Sequence, residues 1–482
     1  PMATSVDSDA EIALIGDAFP GSGKYLGGEL GDDGRVYAVP GHAKRVLRID
    51  PSNQTVELVG PVFEGKYKWL RAARGTDGAL YGIPCHASRV LRIAPGVEPE
   101  ISLVGPEFSG EWKWHGGVKG ADDAIYAIPQ SATRVLRIRC DPLRIDLVGP
   151  EFPGRWKWYG GLRAFPGDVI YGIPACADTV LRIDTSSRRG RHEKEDEEEE
   201  DAASHRDDDD NNSTPSISTV GELAPGGWKW HGGVVTPDGT VYGAPSNANE
   251  VLKIKNDVVT TVGAGKIRGG HHRDDDKYKF LGMVVANDGC CFCVPSDADY
   301  VLKIDPATDE VSNFGRSLAF LAKGQSRGQN KWQNGACLND GKIYAIPLKA
   351  EVVLRVDPAT GDVDTLPHPA RGLNLWEGGV VGPDGGLYCM PLKCDRVLRI
   401  APASTPATDA AAAVAPPVAD RQSAGLGQAV DDDDDGLPSG RRAADDTSSV
   451  TDPKGTSSQD TSSPICHDGP VRDLPGVCAG GA

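Results

Sequence analysis

The sequence predicts an all-β chain, an eight-bladed β-propeller closed by its own N-terminal strand. Three observations lead there. One unit recurs eight times, its usual spacing is 44 or 45 residues, and the last copy lacks a strand that the N-terminus carries in excess. That spacing is the length of a four-stranded propeller blade.

The repeat is measured with two rulers that agree. A Tyr precedes a Pro by three residues at Tyr37, Tyr81, Tyr126, Tyr171, Tyr242, Tyr344 and Tyr388, with Phe292 in the sixth unit. A Val-Leu-basic-Ile run then starts at Val46, Val90, Val135, Val180, Val251, Val301, Val353 and Val397, with Val356 replacing Ile in the seventh. Each unit divides into four short apolar or alternating runs. In the third they are KWHGGVKG, AIYAIP, RVLRIR and IDLVG. Asp33-Gly34, Asp77-Gly78, Asp238-Gly239, Asp288-Gly289 and Asp340-Gly341 mark tight hairpins between the first two strands. The Pro that ends the second run has no N–H for the ladder and stops the strand.

The termini carry the topology. The eighth unit stops after RVLRIAP, while Glu11 to Phe19 (EIALIGDAF) matches the fourth-strand segments EISLVGPEF and RIDLVGPEF. Pairing the spare strand with the incomplete blade removes both open edges. The expected organisation is an N-terminal extension over 1–10, the propeller over 11–402, a disordered acidic insertion over 185–216, and a disordered low-complexity tail over 403–482.

Composition agrees. Gly (60) and Pro (36) are abundant, hydrophobic residues make up 39%, and most of the net charge of −18 sits in the insertion and the tail. The propeller is therefore close to neutral, with no basic face for nucleic acid. No run approaches the 18 apolar residues of a membrane span, and no basic-then-apolar leader is present. A soluble, cytoplasmic monomer is expected. The 11 cysteines are irregularly spaced and read as reduced thiols rather than a disulfide framework.

WKWHGGV occurs twice, at Trp112 to Val118 and Trp228 to Val234, and all nine tryptophans lie in this element or a degenerate copy. It falls on the first, channel-lining strand. The paired glycines are expected to give clearance where eight strands converge, and the tryptophans to wedge between blades. Strand alternation would put Trp112 and Trp114 on one side and Lys113 on the other.

Lys24, Lys68, Lys113, Lys157, Lys229, Lys279 and Lys331 share one position, with Asn374-Leu375 replacing it in the eighth unit. The ring reads two ways. The stems pack on neighbouring aromatics, or the ammonium groups form a cationic collar that binds an anionic ligand or acidic peptide. These seven lysines, with His115 and His231, are the candidate ligand-binding residues. His115 and His231 follow the Trp in only two units, which excludes a symmetric metal ring. His271-His272 with Asp274 to Asp276 could hold a cation but reads as a solvated loop. Cys290, Cys291 and Cys293 lie on a strand whose alternation separates their side chains, so no zinc site is expected there. No cofactor, metal or catalytic residue is assigned.

The segment D-G-x-[ILV]-Y-x-x-P-x-x-A-x-x-V-L-[RK]-I-[DA] resembles the NHL repeat and the related streptogramin-lyase and gluconolactonase propellers. Asp77-Gly78, Leu80-Tyr81 and Arg89-Val90 carry the likeness, as do Asp33-Gly34, Val36-Tyr37 and Arg45-Val46. Pro40, Pro84 and Pro129 stand where such repeats have Asp, and Ala43, Ala87 and Ala132 where they have Asn. The resemblance implies the fold and no particular activity.

Two functions follow as expectations. Uniform blades favour a noncatalytic propeller that binds a protein or anionic ligand at a Lys/Trp-lined channel mouth. A lactonase- or lyase-type enzyme acting on a small molecule in the channel would need residues that break the symmetry. Glu29 and Glu377, together with His115 and His231, are the scattered candidates for that role.

Overall fold

Asp77-Gly78 and its equivalents close hairpins, and the Tyr four residues after the Asp shows why the spacing is fixed. Tyr81 Oη donates to Asp77 Oδ2 at 2.9 Å, while the same carboxylate accepts the Ala79 N–H. Tyr37 and Asp33, Tyr344 and Asp340, and Tyr388 and Asp384 repeat the bond at 2.8, 2.8 and 2.9 Å. Tyr171 and Tyr242 reach instead to Asp257 and Asp309 of the following blade, each at 2.7 Å. The buried phenol of the second strand thus finds a carboxylate, as its polar end requires.

The computed structural model describes residues 4–7, 10–166, 168–186, 215–322 and 329–403. Most of the expected acidic insertion, and all of the expected tail but its first residue, lie outside them. The described residues form eight antiparallel sheets. In the third blade the strands are Trp114–Lys119, Ile125–Pro129, Val135–Cys140 and Leu143–Val148, in spatial order. The first strands touch both neighbours around the ring, and Gly28–Leu30 meets Trp376–Val381 to close it.

Closure takes the expected form. Ala10–Ile15 pairs antiparallel with Val397–Pro402, from Ala10 opposite Pro402 to Ile15 opposite Val397. A short strand, Thr4–Asp7, adds itself outside as a fifth member of the eighth blade. The sequence expectation treated that segment as an extension, because its four residues carry no repeat signal.

The core is shared between adjacent blades. Ala73, Tyr81, Ile83 and Val90 of the second blade pack with Trp114, Ile125, Leu136 and Ile138 of the third. The aromatic residue after each lysine, Trp in five blades, Tyr25 in the first and Phe280 in the sixth, is the wedge between them. Trp114 is buried and its Nε1 donates to the Arg134 carbonyl at 2.8 Å. Trp69, Trp158, Trp230 and Trp376 make the same bond to the residue just before the third strand, Trp332 makes it to Val352 at that strand's start, and Tyr25 Oη does so in the first blade. The nine cysteines among the described residues are all free thiols, seven of them buried.

Candidate functional site

Strand alternation does not govern the Trp-Lys-Trp start, because the strand begins only at its second Trp. The residue before the lysine is left-handed in every blade: Gly23, Tyr67, Trp112, Trp156, Trp228, Tyr278, Asn330 and Asn374 have φ between 48° and 61°. Such backbone is natural for glycine and costly for Trp or Tyr. It turns the lysine inward and the preceding residue away.

The lysines are 0 to 6% exposed. Lys68 Nζ donates to the Gly41 and Ala43 carbonyls of the first blade at 2.8 and 2.9 Å and to Gly65 at 2.8 Å. Lys113 does the same with Cys85 and Gly110, and Lys157 with Ala132 and Gly154, at 2.8 to 2.9 Å. Lys24 donates to Gly21, Lys279 to Asn249 Oδ1, and Lys331 to Ala298. Lys229 pairs with Asp178 at 3.1 Å and donates to Ala224. Each ammonium group thus satisfies loop carbonyls where two blades meet. In the eighth blade Leu375 fills the lysine's place, and its N–H still donates to Leu348. Burial pulls Lys24, Lys68, Lys157 and Lys331 down to about 8. A collar open to an anion differs from this arrangement, in which the fold's own carbonyls engage the charges.

Downstream of the wedge the ladder slips. Trp114 stands opposite Pro129 and Gly117 opposite Ala127, so the first strand has one residue more than its partner. The same bulge recurs in the second and fourth to eighth blades. Bulges re-aim side chains, and here the bulged pair lines the axis. Gly116, Gly160, Gly232, Gly282 and Gly378 have φ between 66° and 100°, with Asn334 at 62°. Left-handed backbone at the bulge, more than clearance, therefore explains the first glycine of each pair. Clearance does apply at Gly27, where a Cβ would stand 2.7 Å from Arg71 Cδ.

The bulged positions assemble a largely buried polar floor from six blades. His115 stacks on Tyr159 with centroids 3.8 Å apart, and Tyr159 lies 4.9 Å from His231. Gln333 Nε2 approaches Glu377 Oε1 at 3.4 Å. Arg71 of the second blade reaches across Gly27 and Gly378, its Nη1 within 2.8 Å of where either Cβ would stand. Among the described residues Arg71 Nη2, Glu377 Oε2 and both His231 ring nitrogens have no hydrogen-bond partner.

Electrostatics sort their charge states. Burial raises Glu377 to about 8 against the opposing pull of Arg71. Burial, reinforced by Arg71, lowers His231 to about 3. The Tyr159 phenol is pushed well above its usual range by the same burial. At neutral pH the guanidinium is the floor's charge. Glu29, the other carboxylate considered from the sequence, is half-buried in the first blade's ladder opposite Tyr37.

Above the floor, the left-handed residues form an aromatic arc. Tyr67, Trp112, Trp156 and Trp228 follow one another at centroid distances of 4.7, 5.3 and 5.6 Å. His42 packs edge-on against Tyr67, and His86 against Trp112. All four arc residues are half-buried, and Trp228 meets Tyr159 at 5.7 Å, so arc and floor are continuous. Reasoning from sequence placed His115 and His231 here but took the first Trp for a wedge, and it missed Arg71, Tyr159 and Gln333. The available signal was their departure from the repeat at the bulged position.

No protein-family model and no curated protein matches this sequence. Solved structures with similar backbones include a streptogramin B lyase, with 12% identity over 82% of this chain and 99% of that one and a TM-score of 0.47. A virginiamycin B lyase from Staphylococcus aureus follows at 11% identity, covering 81% and 98% of the two chains with a TM-score of 0.45. A protein from Lactobacillus plantarum has 10% identity, coverage of 63% and 87%, and a TM-score of 0.44.

Proposed function

We propose that this chain is a binding propeller whose ligand docks on the aromatic arc at the channel mouth and directs an anionic end toward Arg71. The arc carries the reading. Tyr67, Trp112, Trp156 and Trp228 hold strained left-handed backbone and remain half-exposed, whereas the structural aromatics of the same element are buried. The left-handed turn belongs to every blade, but among the described residues only these four consecutive blades place a bulky, half-exposed aromatic ring on it in mutual contact, and that choice supports a recognition role. Stacked Trp and Tyr faces suit a planar or apolar group of a small molecule or peptide. His115 and His231 lie on the floor beneath as candidate ligand contacts, and the seven lysines hold the mouth's frame rather than the ligand.

A second reading, a small-molecule lyase or lactonase, is favoured by one observation. Glu377 stays protonated to about pH 8 beside a floor holding His231 and Tyr159, an arrangement suited to acid–base chemistry. Glu377, His231 and Tyr159 are enclosed, so a substrate would first have to part the side chains above them.

The two are separated by capture from native lysate on immobilised full-length chain, analysed for both small molecules and proteins. Binding at the arc predicts a species recovered by the wild type and depleted about tenfold by Trp156→Ala, with Glu377→Gln unchanged. Equal recovery by wild type and Trp156→Ala contradicts it. Turnover of the captured species by wild type but not by Glu377→Gln supports the enzyme.

A further inference from the structure

The loop that enters the sixth blade is lengthened and contains Gly269-Gly270-His271-His272-Arg273. Sequence alone paired its histidines with Asp274 to Asp276. The structure turns them the other way, toward Asp299 in the loop after the second strand of the same blade. His271 Nδ1 stands 3.1 Å from both carboxylate oxygens of Asp299, and the His271 N–H donates to Oδ2 at 2.8 Å. His272 is adjacent, and one donor atom from each of the three residues lies within 4.8 Å of the other two.

We propose that His271, His272 and Asp299 form a binding site for a divalent transition-metal ion of the zinc type. Two imidazoles and one carboxylate are a donor set that such ions accept, with further positions left for water. Metal–ligand bonds of about 2.0–2.1 Å place tetrahedral donors roughly 3.3 Å apart, close to the separation already held by His271 and Asp299. Neither ring nitrogen of His272 has a hydrogen-bond partner among the described residues, its Nε2 standing 4.0 Å from Asp297 Oδ2, although the ring is mostly buried.

The surroundings are built to hold the turn. Arg273 pairs with the enclosed Asp297 at 2.9 Å and with Asp275 at 2.8 Å, and its N–H closes the turn onto the Gly270 carbonyl. Asp297 is occupied by Arg273 and by the Asn330 N–H, which leaves Asp299 as the carboxylate for the ion. Lys331 and Arg273 are the nearby cations that oppose it, so modest affinity is expected. A bound ion would tie the entering loop to the loop after the second strand, beside the lysine-framed mouth. This goes beyond the proposed binding function and does not depend on it.

The test uses the full-length chain after dialysis against a chelator. Zn²⁺ is titrated in competition with a chromophoric chelator, Co²⁺ absorption reports coordination, and melting temperature is read with and without Zn²⁺. One equivalent should bind with a visible Co²⁺ band and raise the melting temperature. His271→Ala, whose side chain is largely exposed, and Asp299→Asn should each weaken binding at least tenfold. His192 and His205 in the acidic insertion could also hold ions. Affinity and Co²⁺ spectrum unchanged in both variants would assign the metal to such donors and overturn the proposal, as would the absence of binding in the wild type.

Discussion

The guanidinium of Arg71 lies across the backbone of Gly27, with its Cδ and Nη1 each 2.7 Å from where a Cβ would stand. Gly27 has ordinary backbone, so space alone demands glycine there. Gly27→Ala should cost about 1–3 kcal/mol in urea unfolding. Most of that loss should vanish in an Arg71→Ala background, because the methyl then occupies vacated volume. Gly378→Ala should stay destabilising in either background. Its φ is 66° and its Cβ would stand 2.5 Å from the Leu26 carbonyl oxygen.

Lys113 separates clasp from collar. Lys113→Met keeps the stem but removes the ammonium donor to the Gly110 carbonyl and one of the two donors to the Cys85 carbonyl, which retains the residue-113 N–H. The expected loss is about 2–4 kcal/mol by chemical denaturation, nearly independent of salt because the group is buried. A fold of unchanged stability with a weakened, salt-sensitive interaction would instead describe an open collar.

The two tryptophans of one Trp-Lys-Trp start should behave oppositely. Trp114→Ala removes a buried wedge and its bond to Arg134, and about 3–5 kcal/mol should be lost. Trp112→Gly exchanges a half-exposed ring for a residue at ease in the left-handed region, so stability should shift by no more than about 1 kcal/mol. Thermal melts of both variants check the contrast.

Glu377 gives a pH signature with a definite sign. Its folded pKa of about 8 is above the usual carboxylate value, so the folded state holds a proton that the unfolded state has released. That contribution is fully present below about pH 4.5 and is lost as pH rises toward 8. Glu377→Gln should therefore melt progressively higher relative to the wild type between pH 5 and pH 8.5. A constant difference across that range would show an ordinary carboxylate.

The fold was legible because each blade repeats its own evidence. Tyr81 and Asp77, or Ile15 and Val397, are partners fixed by spacing and hydrophobic pattern. The site was only partly legible, since it consists of what does not repeat. His115 and His231 stood out as singletons, yet Arg71 looks like any surface arginine until the bulge points it at the axis. The lysine ring shows the converse. Its regularity suggested a ligand, yet a cation that donates to loop carbonyls at seven of the eight blade junctions also serves packing. Left-handed backbone at Trp112, Trp156 and Trp228 could not be read from composition, because Trp is among the residues least expected there.

The central claim is that the aromatic arc, and not the lysine ring, carries recognition at the mouth. It is tested most directly by titrating the captured ligand into Trp156→Ala and Lys113→Met, each verified as folded. Affinity about tenfold weaker for Trp156→Ala, with Lys113→Met within about twofold of wild type, is the predicted result. Loss of affinity in Lys113→Met with Trp156→Ala unchanged would contradict it.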